Sequence, residues 1–135
     1  MNEALDFIKC NPIGEFATIG RDGKPKVRPF GFYLEKDGSL WFVTSADKEV
    51  YQELLANQYI EFCTRSPQMA WLRLRGAVVF TDDIDIKTEI FNIAKTSKQQ
   101  YGTPDNPNFK PFCLKQASAT LYKFGAKPQE FTFNM

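Results

Sequence analysis

Two Asp-Gly turns, Arg21-Asp22-Gly23-Lys24 and Lys36-Asp37-Gly38-Ser39, separate short alternating segments and constrain this chain more than any other feature. Asp-Gly accepts the left-handed backbone that a tight hairpin demands. Residues 15–19 alternate as a strand before the first turn, residues 25–36 form a second strand after it, and Leu40-Trp41-Phe42-Val43-Thr44 forms a third after the second turn. The spacing predicts hairpins, and hence antiparallel pairing.

Helical patterns interrupt the strands. Asn2 can cap a short helix through about Lys9, with Leu5 and Ile8 on its apolar face, before Asn11-Pro12-Ile13-Gly14 ends it. A helix over residues 47–57 is expected to bury Val50, Tyr51, Leu54 and Leu55. Strands at 59–65 and 70–81 flank a Ser66-Pro67-Gln68 loop, and Ile86, Ile90, Ile93, Ala94 and Ser97 predict a helix from Ile84 to Gln99. Gly102 to Pro111, with three prolines, is expected as a loop. A last strand follows from Cys113 to Phe124, and the tail Phe131-Thr132-Phe133-Asn134-Met135 is apolar enough to dock. The order predicts a mainly β domain over residues 1–135, a small closed or partly closed barrel with peripheral helices, with an open sandwich as the alternative.

Composition removes several classes of function. Seventeen basic and sixteen acidic residues leave a net charge of +1, so no global field draws the chain to nucleic acid or anionic lipid. The chain has no histidine, which excludes Ser/His/Asp and Cys/His nucleophiles, His-ligated zinc and His-ligated haem. Chemistry is then expected from a bound cofactor, and no metal site is expected. Cys10, Cys63 and Cys113 match neither a disulfide framework nor a Cys-x-x-Cys motif. With no signal-like or membrane-length apolar run, the expected setting is the cytoplasm.

One cluster bears on ligand binding. The second strand carries Lys26 and Arg28 on the face of Phe30, Phe32 and Leu34, with Val27, Gly31 and Tyr33 on the other. Pro29 marks an edge or a break in pairing, and Gly31 permits close approach by another backbone or a ligand. Thr44, Ser45 and Lys48 gather where the third strand becomes helix, whose unpaired N–H groups favour an anion. Together these residues suit a phosphate beside an aromatic ring system. Taken singly, they are a solvated arginine, an N-cap pair and a surface lysine. On the long strand, Leu72, Leu74, Gly76, Val78 and Phe80 point inward, which leaves Trp71, Arg73 and Arg75 as a dimer face or a cation–π stack.

The order of elements, with Gly20-Arg21-Asp22-Gly23-Lys24-Pro25, then Val27-Arg28-Pro29-Phe30, Trp41-Phe42-Val43-Thr44-Ser45, Lys48 and the Trp71-to-Phe80 strand, resembles the FMN-binding split barrels of the pyridoxamine 5′-phosphate oxidase superfamily. The resemblance covers nearly the whole chain and implies a six-stranded antiparallel split β-barrel, homodimeric, with FMN at the subunit interface. It implies a phosphate cation at Arg28, a ring wall along Pro29, Phe30, Gly31, Val43 and Thr44, and phosphate closure by Ser45 and Lys48. Trp71 would approach the flavin ring, with Arg73 and Arg75 arriving from the partner subunit. The C-terminal tryptophan, arginine and histidine shared by pyridoxamine phosphate oxidases have no match in Lys123 to Phe131. The resemblance therefore points to flavin rather than to vitamin B6 chemistry.

The expected function is an FMN-dependent oxidoreductase passing electrons from a nicotinamide donor to a small acceptor that no motif names; no catalytic residue is assigned. A flavin carrier or sensor without turnover is the alternative. A third reading is a single-stranded nucleic-acid barrel with Phe30, Phe32 and Trp71 as stacking platforms and Lys26, Arg28, Arg73 and Arg75 on the backbone, against which the balanced charge argues.

Overall fold

The computed structural model describes residues 2–133. The side chain of Asn2 accepts the Leu5 N–H at 2.7 Å and caps α1 (Glu3–Cys10), which buries Ala4, Leu5 and Ile8. Strands β1 (Ile13–Ile19) and β2 (Pro25–Gly31) meet through the first Asp-Gly turn, with Gly23 at φ 80°. The second turn joins β3 (Leu34–Lys36) to β4 (Ser39–Ser45), and places both Asp37 (φ 53°) and Gly38 (φ 86°) in the left-handed region. There follow α2 (Glu49–Ala56), β5 (Tyr59–Arg65), β6 (Trp71–Phe80), α3 (Ile84–Ile93), α4 (Ser97–Tyr101), β7 (Phe109–Tyr122) and β8 (Gln129–Thr132).

All pairings are antiparallel, in the order β2-β1-β5-β6-β7-β4-β3, with β8 added to β7. In a flat sheet, β1 and β4 would stand about 19 Å apart, four strand spacings. Instead the Phe16 ring of β1 lies 5.7 Å from Phe42 of β4 and 5.7 Å from Phe112 of β7. The sheet is therefore curled around a phenylalanine core that also holds Phe30, 4.5 Å from Phe16, and Phe62, 5.1 Å from Phe42. β2 pairs only with β1, and Phe42–Ser45 of β4 pair only with β7, so these two edges flank an unpaired seam. Pro29 lies on this edge strand, where its missing N–H removes no bond to a second neighbour.

The sheet has eight strands rather than the expected six. The expected strand over 25–36 divides because Phe32 N–H bonds to Pro12 O at 2.8 Å whereas Tyr33 N–H bonds to Trp41 O at 3.1 Å. The chain thus changes partners from the β1 side to β4. Phe30 and Phe32 stay with the main core, but Leu34 joins a second cluster with Trp41, Ile90, Phe91 and Phe109 under α3 and α4. The expected helix over 84–99 is broken between Ile93 and Ser97, with no glycine or proline to announce it. β7 begins at Phe109, inside the expected loop; β6 ends at Phe80 opposite Phe112, so on that side Pro111 has no strand residue directly opposite it. The tail contributes β8, and Asn134 and Met135 lie outside the described residues. In α2 the buried residues are Val50, Glu53 and Leu54, while Leu55, expected inside, is 58 % exposed.

Candidate functional site

The seam brings one group of expected site residues together. Pro29 and Gly31 lie on the β2 edge, Val43, Thr44 and Ser45 on the β4 edge, and Lys48 at the N-cap of α2 immediately beyond. Adjacent strand residues point to opposite faces, so Thr44 shares the face of Leu40 and Phe42 toward the main core, while Val43 and Ser45 share the opposite face with Trp41, whose second cluster covers it. The Phe30 ring is stacked on Phe16 and forms part of the core, leaving its backbone to the edge.

Thr44 is 3 % exposed, and its Oγ1 is buried with no hydrogen-bond partner among the described residues; Trp41 Nε1 shares that condition. An unsatisfied buried polar group costs about 1–3 kcal/mol, which a ligand or water would recover. Lys48 makes no side-chain capping bond and no ion pair among the described residues. An ammonium there opposes the helix dipole, so it adds nothing to the helix itself. A phosphate-bearing group fits this donor set: a buried hydroxyl without a partner, a free ammonium and the exposed N–H groups of a helix start.

Other groups at the site are already engaged. Ser45 Oγ donates to Asp47 Oδ1 at 2.5 Å. Burial pushes the Tyr101 hydroxyl above its ordinary pKa, against an opposing influence of the Ser45 hydroxyl. Arg28 Nη2 bonds to Glu53 Oε1 at 2.8 Å, and its Nη1 bonds to Thr18 Oγ1 at 2.8 Å and to Phe16 O at 3.2 Å. The cation expected to meet a phosphate is therefore held by a carboxylate that is 2 % exposed.

The second expected group is separate from the first. Trp71 is 41 % exposed and stacks on Tyr122, its direct cross-strand partner, at 5.0 Å and 12°. Arg73 Nε bonds to Glu61 Oε2 at 2.5 Å, which raises the guanidinium pKa further. Arg75 Nη2 reaches Thr120 Oγ1 at 3.0 Å and Glu130 Oε1 at 3.1 Å. β1 and β5 intervene between β2 and β6, and β7 intervenes between β6 and β4, so within one chain these residues lie on neither edge of the seam. A cavity of about 500 Å³ between α1 and the Ser66–Ala70 turn contains none of either group. Among the described residues no cluster of His, Cys, Asp or Glu could hold a metal ion, and no helix is long and apolar enough to cross a membrane.

Sequence reasoning passed over Thr18, Glu53, Asp47 and Tyr101. Glu53 had a signal: it follows Val50 by three positions and precedes Leu54 on the stripe that must be buried, which marks a carboxylate in need of a cation.

The sequence profile of the family described as pyridoxamine 5′-phosphate oxidase matches residues 1–120. No curated protein sequence is similar to the chain. Among solved structures, a NimC/NimA family protein from Clostridium acetobutylicum is similar, with a TM-score of 0.85 and 26% identity over 96% of this chain and 89% of that one. An FMN-binding protein related to pyridoxamine 5′-phosphate oxidase from Nostoc punctiforme has a TM-score of 0.70 and 16% identity over 98% and 94% of the two chains. A heme binding protein from Mycobacterium smegmatis has a TM-score of 0.77 and 15% identity, with 96% of this chain and 56% of that one covered.

Proposed function

Because the chain belongs to the pyridoxamine 5′-phosphate oxidase family, we propose that it binds FMN in the seam between β2 and β4 and acts as a flavin-dependent oxidoreductase. The observation that carries this reading is the buried Thr44 hydroxyl near the end of β4, without a partner among the described residues, together with a Lys48 ammonium at the start of α2 that makes no ion pair among them. Lys48, with Thr44, Ser45 and the helix N–H groups, takes the phosphate. The Pro29–Gly31 and Val43–Ser45 edges wall the ring.

The energies set what else is needed. A charge-assisted bond from Lys48 supplies about 1.5–3 kcal/mol and the helix start about 0.3–1 kcal/mol, whereas micromolar affinity takes about 8 kcal/mol. Most of the remainder must come from burying the ring, at about 25 cal/mol per Å² of apolar surface. The Trp71, Arg73 and Arg75 face lies on β6, which borders neither edge of the seam within one chain. A second copy supplies that face, so the working unit is a homodimer with FMN at its interface.

FMN, when bound, supplies the redox chemistry between a nicotinamide donor and a small acceptor. The chain's own residues hold the phosphate, orient the ring and exclude water. The three free thiols suit a reducing cytoplasm. The nucleic-acid reading loses two of its stacking platforms, because Phe30 and Phe32 are packed into the core.

The absorption spectrum of the purified protein tests the cofactor, and stopped-flow mixing with reduced nicotinamide tests the reaction. Flavin bands that bleach on mixing are expected. A flavin spectrum without bleaching would indicate a carrier, and a protein that takes up no FMN would end the proposal.

A further inference from the structure

We propose that Arg28 serves the cofactor site as a positioning residue, acting through Glu53 on the start of α2 instead of touching the phosphate; the proposal rests on the FMN reading above. Glu53 Oε1 accepts from two groups, Arg28 Nη2 at 2.8 Å and Thr18 Oγ1 at 2.6 Å, and Thr18 Oγ1 in turn accepts from Arg28 Nη1 at 2.8 Å. This closes a ring of three hydrogen bonds. Glu53 and Thr18 are 2 % and 3 % exposed. An anion that drew the guanidinium away from Glu53 would leave a buried carboxylate without its cation, the costly way to break such a pair.

A second bond of the same kind shows what the ring does. Arg21 Nε and Nη2 meet the two Glu49 carboxylate oxygens, each at 2.7 Å. Glu49 and Glu53 are four residues apart and share one face of α2. Each takes an arginine from the β1–β2 hairpin: Arg21 at its turn and Arg28 in its second strand. Two braces therefore fix the helix to the hairpin, one exposed and one buried. The helix carries Lys48 at its N-cap, and the hairpin carries the Pro29–Gly31 edge. Bracing one to the other sets the distance between the phosphate end of the seam and its ring wall.

Charge supports the same division of labour. Arg28 is neutralised by Glu53, whereas Lys48 has no partner carboxylate among the described residues. The free cation is the one that meets a phosphate, and the paired one holds the frame.

The test measures equilibrium affinity for FMN and for riboflavin, which differ by the phosphate, in the full chain and in three variants. Glu53→Gln keeps the Arg28 guanidinium and weakens its anchor; Arg28→Met/Glu53→Leu replaces the pair with apolar contact; Thr18→Val removes one member of the ring without removing a charge. If Arg28 positions, Glu53→Gln weakens FMN roughly tenfold and changes riboflavin much less, with Thr18→Val weaker in the same direction. The double variant, despite lacking the guanidinium, keeps its preference for FMN to within about threefold of wild type. The proposal is overturned if Glu53→Gln tightens FMN by freeing Arg28, if the double variant loses its preference for FMN, or if no variant moves the ratio of the two affinities. Failure of the wild-type chain to prefer FMN over riboflavin would instead overturn the phosphate site itself.

Discussion

The Ser45 hydroxyl donates to the Asp47 carboxylate at 2.5 Å, which places an anion beside the helix start where a phosphate is proposed to bind. Asp47 is exposed and free to turn away, but its charge opposes an incoming phosphate. Asp47→Asn removes that charge and releases Ser45. FMN affinity is expected to rise by roughly three- to tenfold, as read by quenching of flavin fluorescence, with riboflavin affinity unchanged.

Trp71, Arg73 and Arg75 make the outer face a composite of one stacked aromatic pair and two arginine–carboxylate pairs. Arg73→Glu/Arg75→Glu sets like charges against Glu61 and Glu130 and repels a second copy. Dimer content by analytical ultracentrifugation and flavin occupancy by absorbance should fall together. A monomeric variant that retained its flavin would show the site to be complete in one chain.

The bulge between Arg75 and Ala77 is matched on β7 by Gln116, a non-glycine residue at φ 53°. A Cβ on Gly76 would lie 3.0 Å from Lys115 O, so the close approach is met by glycine on one strand and by left-handed backbone on the other. Gln116 is exposed, and Gln116→Gly relieves the steric cost at the expense of unfolded-state entropy. Net stabilisation of roughly 0.5–1 kcal/mol is expected in urea unfolding.

Arg21 holds the Glu49 carboxyl below its ordinary pKa of 4.5, first through their hydrogen bonds. Because the folded value is lowered, the unfolded chain binds more protons in the window just below 4.5. The pair's contribution is therefore complete above that window and is lost as pH falls through it. Wild type should exceed Glu49→Gln in urea midpoint near neutral pH, and the gap should close in acid. A gap that stayed constant with pH would assign the difference to something other than the carboxylate's charge.

What was legible in the sequence was mostly local. Asn2 before α1 and the two Asp-Gly turns specify caps and hairpins through neighbouring atoms, and each appears where the residues require it. The junction of β4 and α2, with Thr44, Ser45 and Lys48, was legible for the same reason. The division of the second strand was not, because it depends on Phe32 and Tyr33 meeting partners at Pro12 and Trp41, on two different neighbours. Nor was the fate of Arg28: its partner Glu53 is twenty-five residues away, on an element of another kind. A side chain's charge can be read from sequence, but whether that charge is free depends on tertiary packing.

The central claim is that Lys48 at the head of α2 holds the phosphate of a flavin lying in the β2–β4 seam. Titrating wild type and Lys48→Ala with FMN and with riboflavin tests it most directly. The account predicts that wild type prefers FMN, and that Lys48→Ala loses FMN affinity by roughly 10- to 100-fold while riboflavin affinity and the unfolding midpoint stay as they were. Equal FMN affinity in the two proteins would contradict it.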